Sequence, residues 1–314
     1  MNIIKPVIAV MLVLALFIIS GCGEKNTSQQ VDAGEGIIIN DDVGREVRLV
    51  KKPERIVVCS MSFLEPLHLL EGNIVGRPTS QMVPDFAKDI SSVGKAVQID
   101  MEKVLALNPD LVVINRGMNE KLIKTLEDNG IPSIVIKART YEDVKRELRI
   151  FGQITNNPEK AEKAINSMNE EIDAVKQQLP KDEKRVAILF SSSQGLNIQL
   201  SGSIAGSIAK DFGWKNIADG RLPMEKNPDA TPYSLETMVE QNPEIIFVVT
   251  MGNAPSLEQE LLDEFRNNPA WKTVTAVQKN QIYFLPQETF LINPGLKYPG
   301  CYKKMAKFVY PELF

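Results

Sequence analysis

The sequence has 314 residues, and its 36 lysines and arginines stand against 40 aspartates and glutamates, so the formal net charge at pH 7 is −4. No basic run and no stripe of interleaved aromatic residues appears, which argues against nucleic acid as a partner. Beyond the first 35 residues about 280 remain, enough for two lobes that each have their own hydrophobic core.

Residues 1–21 carry the pattern of a secretory signal peptide. Lys5 precedes an apolar run at 7–19, which is shorter than the ~20 residues that a transmembrane helix needs. The tetrad at 19–22 ends in Cys22 and resembles the lipobox of bacterial lipoproteins, in which the cysteine is diacylated and becomes the mature N-terminus. Two acyl chains anchor a protein stably, so we expect Cys22 to hold the protein at the extracytoplasmic face of the cell membrane. An ordinary signal peptide with an incidental cysteine is the alternative.

Residues 22–35 are mostly small or polar. Such a segment buries too little apolar surface to offset the entropy lost on ordering. We predict a flexible linker between the lipid anchor and the folded body.

Residues 36–156 alternate strand and helix patterns and are predicted to form an N-terminal lobe. The run Asp41-Asp42-Val43-Gly44 separates two short strands within 37–49 and suits a hairpin turn. Apolar strands are predicted at 56–59, 74–76, 111–114 and 133–136, with helices near 63–70, 101–107 and 119–129. Because continuous apolar strands alternate with helices, this half favours a parallel sheet flanked by helices.

The longest helical pattern occupies residues 157–180. Asn157 is a candidate N-cap, Pro158 suits the first helical position and Pro180 ends the pattern. Apolar residues recur between them at three- and four-residue spacing. At ~1.5 Å per residue the helix would run about 33 Å, long enough to connect two lobes.

Residues 181–314 repeat the alternation and are predicted to form a C-terminal lobe. Strands are predicted at 185–190, 245–250 and 282–285, and helices at 203–212, 234–241, 257–267 and 299–309. One internal match is close: Glu102 and Glu236 each lie six residues before an Asn-Pro pair, which is followed by an acidic residue and an apolar strand. This repeat predicts two lobes of one design.

Several motifs taken together resemble the periplasmic-binding-protein family of iron-siderophore, haem and cobalamin ABC importers. They are DDVGREV at 41–47, KPERIV at 52–57, IVG at 74–76 and the Asn-Pro-acid motifs at 108–110 and 242–244. The resemblance runs from Ile37 to the end of the chain. It implies an α/β fold of two Rossmann-like lobes joined by one long α-helix, with a ligand in the cleft between them. It also implies a monomeric binding protein that works with an ABC permease and its ATPase.

The histidine content bears on the ligand. A site for bare Zn²⁺ or Mn²⁺ usually needs several histidine and carboxylate ligands, whereas His68 is the single histidine. A chelate that brings its own coordination shell fits better, so haem, a ferric siderophore and a corrinoid are the candidates, with no intrinsic cofactor. Iron chelates are favoured, and a cobalamin-binding protein of the same family is the alternative.

Ligands of open α/β sheets bind beyond the carboxyl ends of the strands, and the loops expected there supply the candidate site. Those loops lie at 60–62, 115–119, 191–194, 250–253 and 287–290. The candidate ligand-binding residues are Met61, Glu65, Arg116, Met118, Tyr233, Met251, Phe290 and Tyr298. Arg116 suits a carboxylate by a two-pronged hydrogen bond, and the aromatic rings suit stacking on a flat ligand.

If the ligand is haem, methionines are the candidate ligands of its iron. Haem receptors of Gram-positive bacteria within the resembled family carry an axial histidine near the position of Met251 and an axial methionine near that of Glu65, and this chain departs from both. Because thioethers also ligate haem iron, Met251 with Met118, or Met251 with Met61, is the predicted metal-binding pair if the ligand is haem. Packing of the same side chains in a core is the alternative.

Permease docking is assigned through the same resemblance. Relatives dock through one exposed glutamate on each lobe, which pairs with permease arginines, and Glu102 and Glu236 match that arrangement. Carboxylates favoured at helix starts are the alternative, and Glu65, Glu71 or Glu225 are other candidates for docking.

An enzyme on this fold is the competing class of function. The sequence has no Ser/His/Asp constellation, HExxH, P-loop or GxSxG spacing, and His68 lies in an apolar helical stretch. We therefore assign no catalytic residue. Cys59 and Cys301 are predicted to be buried free thiols, with a disulfide between them left open.

Overall fold

The computed structural model describes residues 36–225, 227–252 and 254–314. The signal peptide, Cys22 and the linker, all predicted within residues 1–35, lie outside the described residues. No helix in the described part of the chain has the length and apolar character needed to cross a membrane.

The first half of the described chain forms the predicted hairpin and the predicted parallel sheet. The hairpin pairs β1 (Ile37–Asn40) with β2 (Glu46–Leu49). The elements that follow are β3 (Ile56–Val58), α1 (Leu64–Leu69), β4 (Ile74–Arg77), β5 (Ser91–Ser92), β6 (Gly94–Lys95), β7 (Gln98–Ile99), α2 (Met101–Ala106), β8 (Leu111–Asn115), α3 (Leu122–Asp128) and β9 (Ser133–Ile136). The sheet has five parallel strands in the order β5-β4-β3-β8-β9.

Helix α4 (Tyr141–Ile154) follows β9 and was not predicted. Thr140 and Asp143 form a capping box at its start, in which each side chain accepts a hydrogen bond from the other residue's backbone amide. Val144, Leu148 and Phe151 are buried at helical spacing. Helix α4 thus adds its buried face to the hydrophobic core.

Helix α5 (Pro158–Gln178) lies where the long helix was predicted. Asn157 differs from the prediction, because its side chain makes no capping hydrogen bond. Its amide instead donates to the Leu70 carbonyl at 2.9 Å and to the Thr155 carbonyl at 3.1 Å. The residue therefore joins the end of α1 to the start of α5 rather than capping α5.

The second half forms a mixed six-stranded sheet. Its elements are β10 (Arg185–Ser192), β11 (Gly195–Gln199), α6 (Ile204–Asp211), β12 (Lys215–Asn216), β13 (Ala230–Pro232), α7 (Leu235–Gln241), β14 (Ile245–Met251), α8 (Ala254–Asn267), α9 (Thr275–Gln278), β15 (Ile282–Leu285), α10 (Gln287–Phe290) and α11 (Tyr298–Val309). Strands β10, β14 and β15 run parallel, whereas β11 and β13 add an antiparallel edge.

Parts of the predicted loops are in fact regular structure. Ser191 and Ser192 belong to β10, and only 193–194 form the turn that leads into β11. Residues 287–290 form the short helix α10. The error at 191–192 arises because a strand that pairs in a tight hairpin can carry polar residues to its last position.

One hydrophobic cluster joins the two halves through α5 and α11. It includes Val58 of the first sheet, Ile165 of α5, Phe247 of the second sheet and Tyr302 of α11. The Tyr298 hydroxyl at the start of α11 donates to the Arg139 carbonyl at 2.9 Å. The C-terminal helix therefore packs on the connecting helix and reaches back to the first half of the chain.

Candidate ligand-binding cleft

A cleft of about 830 Å³ lies between the carboxyl ends of the two sheets. The first half of the chain lines it with Arg116, Gly117, Glu120, Lys137 and Arg139. The second half lines it with Phe190, Gln199, Ser203, Ile204, Asn227, Pro228, Asp229, Met251, Phe290 and Leu291. Two smaller depressions lie on the surface of α5 and beside the C-terminus, away from the strand ends.

The positions of the lining residues follow from the strands that precede them. Arg116 comes directly after β8, and Lys137 comes directly after β9. Met251 is the last residue of β14, and Phe290 ends the short helix after β15. Carboxyl ends of parallel strands meet at one edge of a sheet, so each sheet presents these side chains to the same cleft.

The first half of the chain contributes three cations to the cleft: Arg116, Lys137 and Arg139. Arg116 is exposed, and the side chains of Lys137 and Arg139 are 36% and 50% exposed. They are therefore partly desolvated but open to a ligand. Such groups make their strongest hydrogen bonds to carboxylates or other anionic oxygens.

A network of carboxylates behind the cleft fixes the segment that carries two of these cations. Asp143 Oδ2 accepts the backbone amide of Arg139 at 3.1 Å and lies 3.7 Å from Lys137 Nζ. Arg146 donates to Asp42 Oδ2 at 2.8 Å, to Asp143 Oδ1 at 3.1 Å and to the Lys137 carbonyl at 3.1 Å. The Asp42 carboxylate also accepts the Lys137 amide, so Asp42 does more than the turn chemistry assigned to it.

The protonation of Asp143 reflects this network. Burial on its own would raise the pKa of Asp143, but amide donors from Thr140 and Arg139, with Lys137 and Arg146 nearby, lower the pKa below its usual value. Asp143 is therefore ionised at neutral pH and holds the cationic segment in place.

One ion pair crosses the cleft. Arg139 Nε lies 3.9 Å from Asp229 Oδ2, and the Asp229 side chain is 18% exposed. Burial raises the pKa of Asp229 above its usual value, although Arg139 and Lys137 oppose the shift. Asp229 and Glu120 are the two carboxylates among the residues that line the cleft in the described structure.

The opposite wall of the cleft is mainly apolar. Phe190, Ile204, Phe290 and Leu291 line it together with the exposed Met251 thioether. Gln199 adds an amide, whose Oε1 atom is buried without a hydrogen-bond partner among the described residues. Such an orphan acceptor suits a donor from a ligand or an ordered water.

The structure brings three of the eight predicted ligand-binding residues to the cleft: Arg116, Met251 and Phe290. Met118 is 42% exposed but lies outside the cleft lining, and Met61 is half-buried against the hydrophobic core. The structure therefore does not assemble either predicted methionine pair around one ligand position.

The other three predicted residues have structural contacts. Glu65 forms an ion pair with Lys297 at 2.8 Å. Tyr233 stacks on Trp271, with ring centroids 6.4 Å apart, in the core of the second half. Tyr298 is fully buried, so the prediction that its ring stacks on a ligand is wrong.

Sequence reasoning missed Lys137, Arg139, Gln199 and Asp229. The first two carried a usable signal, because they lie within three residues of the end of the predicted strand at 133–136. Gln199 lies in β11, an unpredicted strand, and Asp229 follows a long stretch with little regular structure. No periodic pattern of apolar residues in the sequence marks either of these two positions.

The predicted docking glutamates occupy equivalent places. Glu102 lies in the first turn of α2, capped by Asp100, and Glu236 lies in the first turn of α7, capped by Ser234. Both are exposed. Because α2 and α7 lead into β8 and β14, their first turns lie at the sheet edges where the cleft opens. The other candidates Glu65 and Glu71 are paired with Lys297 and Lys160.

The remaining candidate residues are the two cysteines and the histidine. Cys59 and Cys301 are buried free thiols, as predicted. Burial raises the pKa of each thiol to about 12, which makes them unreactive. His68 is exposed on α1 and stacks on Phe86 at 3.8 Å between ring centroids.

Comparison with known proteins agrees with this architecture. The Fe(3+)-citrate-binding protein YfmC of Bacillus subtilis is 26% identical over 307 residues, which cover 93% of this chain and 93% of that protein. The high-affinity heme uptake system protein IsdE of Staphylococcus aureus is 23% identical over 91% of each chain.

Solved structures share the fold. A substrate-binding protein of an ABC transporter from Listeria monocytogenes superposes with a TM-score of 0.74 at 23% identity, covering 83% of this chain and 100% of that one. Staphylococcus aureus IsdE complexed with heme gives a TM-score of 0.70 at 20% identity, covering 82% and 98%. The family model for periplasmic binding proteins matches residues 56–289. Because that match spans most of the folded body, the chain belongs to the periplasmic binding protein family.

Proposed function

We propose that this protein is the extracytoplasmic substrate-binding lipoprotein of an ABC importer, and that it captures a ferric chelate and delivers it to the permease. Relatives named for ferric citrate and heme uptake support a chelate as the ligand. The position of the cleft at the carboxyl ends of both sheets supports capture between the two halves. The family match and the relatives named as binding proteins support a binding protein rather than an enzyme.

The convergence of Arg116, Lys137 and Arg139 on one wall is the observation that carries the ligand class. Three cations favour a chelate that presents several carboxylates or other anionic oxygens. A ferric citrate or a carboxylate siderophore meets this requirement and needs no metal ligand from the protein. A corrinoid carries few anionic groups and would leave most of this wall without a partner.

Haem is the second candidate, favoured by Met251. Its thioether lines the cleft opposite Arg116, so a haem could take one axial methionine while its propionates contact the cationic wall. The described cleft lining holds no second methionine, so a bis-methionine haem is not supported. The half-buried Phe190 would contact the porphyrin face.

Titration of the purified protein tests the ligand class. Trp214 and Trp271 provide intrinsic fluorescence. Ferric citrate, an uncharged ferric trihydroxamate, haemin and cobalamin are added in turn. We expect saturation at one equivalent with ferric citrate bound most tightly. Failure of all four to bind contradicts a chelate-binding function, and preference for the trihydroxamate contradicts an anionic ligand.

Lipid attachment through Cys22 is the second part of the proposal. The tetrad at 19–22 supports it. Cys22→Ala is expected to abolish incorporation of a palmitate analogue and to release the protein or leave it unprocessed. Equal labelling of the wild type and the variant would contradict lipidation at this cysteine.

Docking on the permease through Glu102 and Glu236 completes the proposal. Their exposure and their matched positions beside the cleft support one contact from each lobe. A monomer suffices for this arrangement, because each lobe supplies one glutamate.

A further inference from the structure

The Arg139–Asp229 pair differs from the other ion pairs of the described residues, because both of its members line the cleft. Arg139 comes from the first half of the chain and Asp229 from the second. Their charged atoms are 3.9 Å apart, which is beyond hydrogen-bonding distance. The attraction between them is therefore Coulombic, and a closer acceptor can take the guanidinium donors.

The backbones of both residues are held in place. The amide of Arg139 donates to Asp143, and its carbonyl accepts from Tyr298. The carbonyl of Asp229 accepts from Leu200 at 2.8 Å, and its amide donates to Asn227 Oδ1 at 3.3 Å. The two charged side chains therefore face each other across the cleft on fixed supports.

A carboxylate in a cleft for anions works against the ligand. Any anionic group that reaches Arg139 comes close to Asp229, and like charges in a partly desolvated site repel. Specificity often arises from such unfavourable contacts as well as from favourable ones. A ligand overcomes this repulsion only when it also engages Arg116 and Lys137.

We propose that Asp229 is a specificity-determining residue, which competes with the ligand for Arg139 and so restricts the cleft to chelates with several anionic groups. This inference rests on the proposed capture of an anionic ferric chelate. Asp229 acts as an internal counter-ion for Arg139 when the cleft is empty. A multiply charged chelate replaces that counter-ion, whereas a ligand with one weak anionic group does not.

The test compares Asp229→Asn with Glu120→Gln, which removes one negative charge from the same cleft without touching Arg139. Affinity is measured for ferric citrate and for an uncharged ferric trihydroxamate, at two salt concentrations. We expect Asp229→Asn to tighten ferric citrate binding by about tenfold at low salt and Glu120→Gln to tighten it much less. The readout is the ratio of the two affinities: Asp229→Asn should raise the preference for ferric citrate over the uncharged chelate more than Glu120→Gln does.

Coupling to Arg139 is tested in the Arg139→Gln background. In that background, Asp229→Asn should tighten ferric citrate binding no more than Glu120→Gln does, because the competition for Arg139 is gone. Asp229→Ser is measured alongside, so that a folding defect of one variant does not decide the result. Equal effects of Asp229→Asn with and without Arg139 would overturn the inference.

The experiments distinguish failure of the proposed function from failure of the role of Asp229. If the wild type binds no ferric chelate, the proposed function falls and this inference falls with it. If the wild type binds ferric citrate but Asp229→Asn and Asp229→Ser leave its affinity unchanged, only the role of Asp229 is overturned.

Discussion

The two walls of the cleft differ in the chemical character of their side chains. The wall from the first half presents Arg116, Lys137 and Arg139, whereas the wall from the second half presents mainly apolar side chains such as Phe190 and Leu291. The first sheet is entirely parallel, and the second carries the antiparallel strands β11 and β13. Charge recognition and apolar contact thus come from separate lobes, so each can vary while the other is retained.

The supports behind the walls differ in the same way. Asp42, Asp143 and Arg146 hold the cationic segment through hydrogen bonds. Phe290 is only 2% exposed and belongs to the hydrophobic core. A charged wall therefore depends on a polar network, and an apolar wall depends on packing.

Removal of the charged wall should have the largest effect. The triple variant Arg116→Gln, Lys137→Gln and Arg139→Gln is expected to weaken ferric citrate binding by at least ~100-fold, because hydrogen bonds to charged groups contribute about 1.5–3 kcal/mol before solvent screening. Titration calorimetry measures the change. The control replaces the exposed Lys51, Lys176 and Lys272 with glutamine, which removes the same net charge. Equal losses in both triple variants would contradict a localised anion site.

The apolar wall should contribute less, and two methionines of similar exposure test it. Met251 in the cleft is 43% exposed, and Met118 outside it is 42% exposed. Met251→Ala should weaken chelate binding by about five- to tenfold, in line with the burial of part of one apolar side chain. Met118→Ala should leave affinity unchanged. If haem binds, its Soret band should shift in Met251→Ala only, and a shift in Met118→Ala would contradict the observed lining.

Glu147 joins helix α4 to the segment that follows α10 and should give a pH-dependent effect on stability. Its buried carboxyl accepts a hydrogen bond from Asn293 at 3.3 Å, in the segment that follows Leu291. Burial raises the pKa of Glu147 well above the ordinary value of 4.5. The folded state thus keeps this proton to higher pH than the unfolded state, so the stabilisation is complete below pH 4.5 and is lost as pH rises through the folded-state pKa.

Glu147→Gln removes that titration while keeping an acceptor for Asn293. We expect the free energy of unfolding to rise by about 1–2 kcal/mol relative to wild type at pH 7–8, with no gain at pH 4. Urea unfolding at several pH values measures it. Glu142→Gln, at an exposed position of the same helix, should change little. A gain that is independent of pH would contradict a buried, protonated Glu147.

The smallest effect is expected outside both walls. Glu102→Ala combined with Glu236→Ala should reduce uptake of labelled chelate by cells a few-fold while leaving affinity unchanged, because each lobe loses one exposed contact with the permease. The control pair is Glu54→Ala with Glu240→Ala, which lie towards the opposite edges of the sheets. Equal uptake by both pairs would contradict the docking assignment.

Much of the scaffold was predictable from sequence, because buried parallel strands are continuous apolar runs. Strands β9 and β15 were predicted with their observed bounds, and α5 was predicted to within one residue. Helix α4 was missed although Val144, Leu148 and Phe151 recur at helical spacing. The sequence does not show that Glu147 shares their buried face, because burial of a carboxylate depends on tertiary contacts.

The cleft was less predictable than the scaffold. Arg116 and Met251 were found because they directly follow predicted strands. Asp229 reaches the cleft through a segment whose path depends on tertiary contacts, such as the hydrogen bond between Leu200 and the Asp229 carbonyl. Tyr298 was misassigned because an aromatic residue directly before a predicted helix has no local feature that separates burial from exposure.

The hydrogen bond from Tyr298 to the Arg139 carbonyl has a consequence for biosynthesis. Tyr298 lies among the last residues to leave the ribosome, whereas Arg139 is made when less than half of the chain exists. Arg139 therefore gains this support only when the final helix is present. A product truncated before α11 keeps the hydrogen bonds that Asp143 and Arg146 make with the cationic segment but lacks the contact that ties Arg139 to the end of the chain.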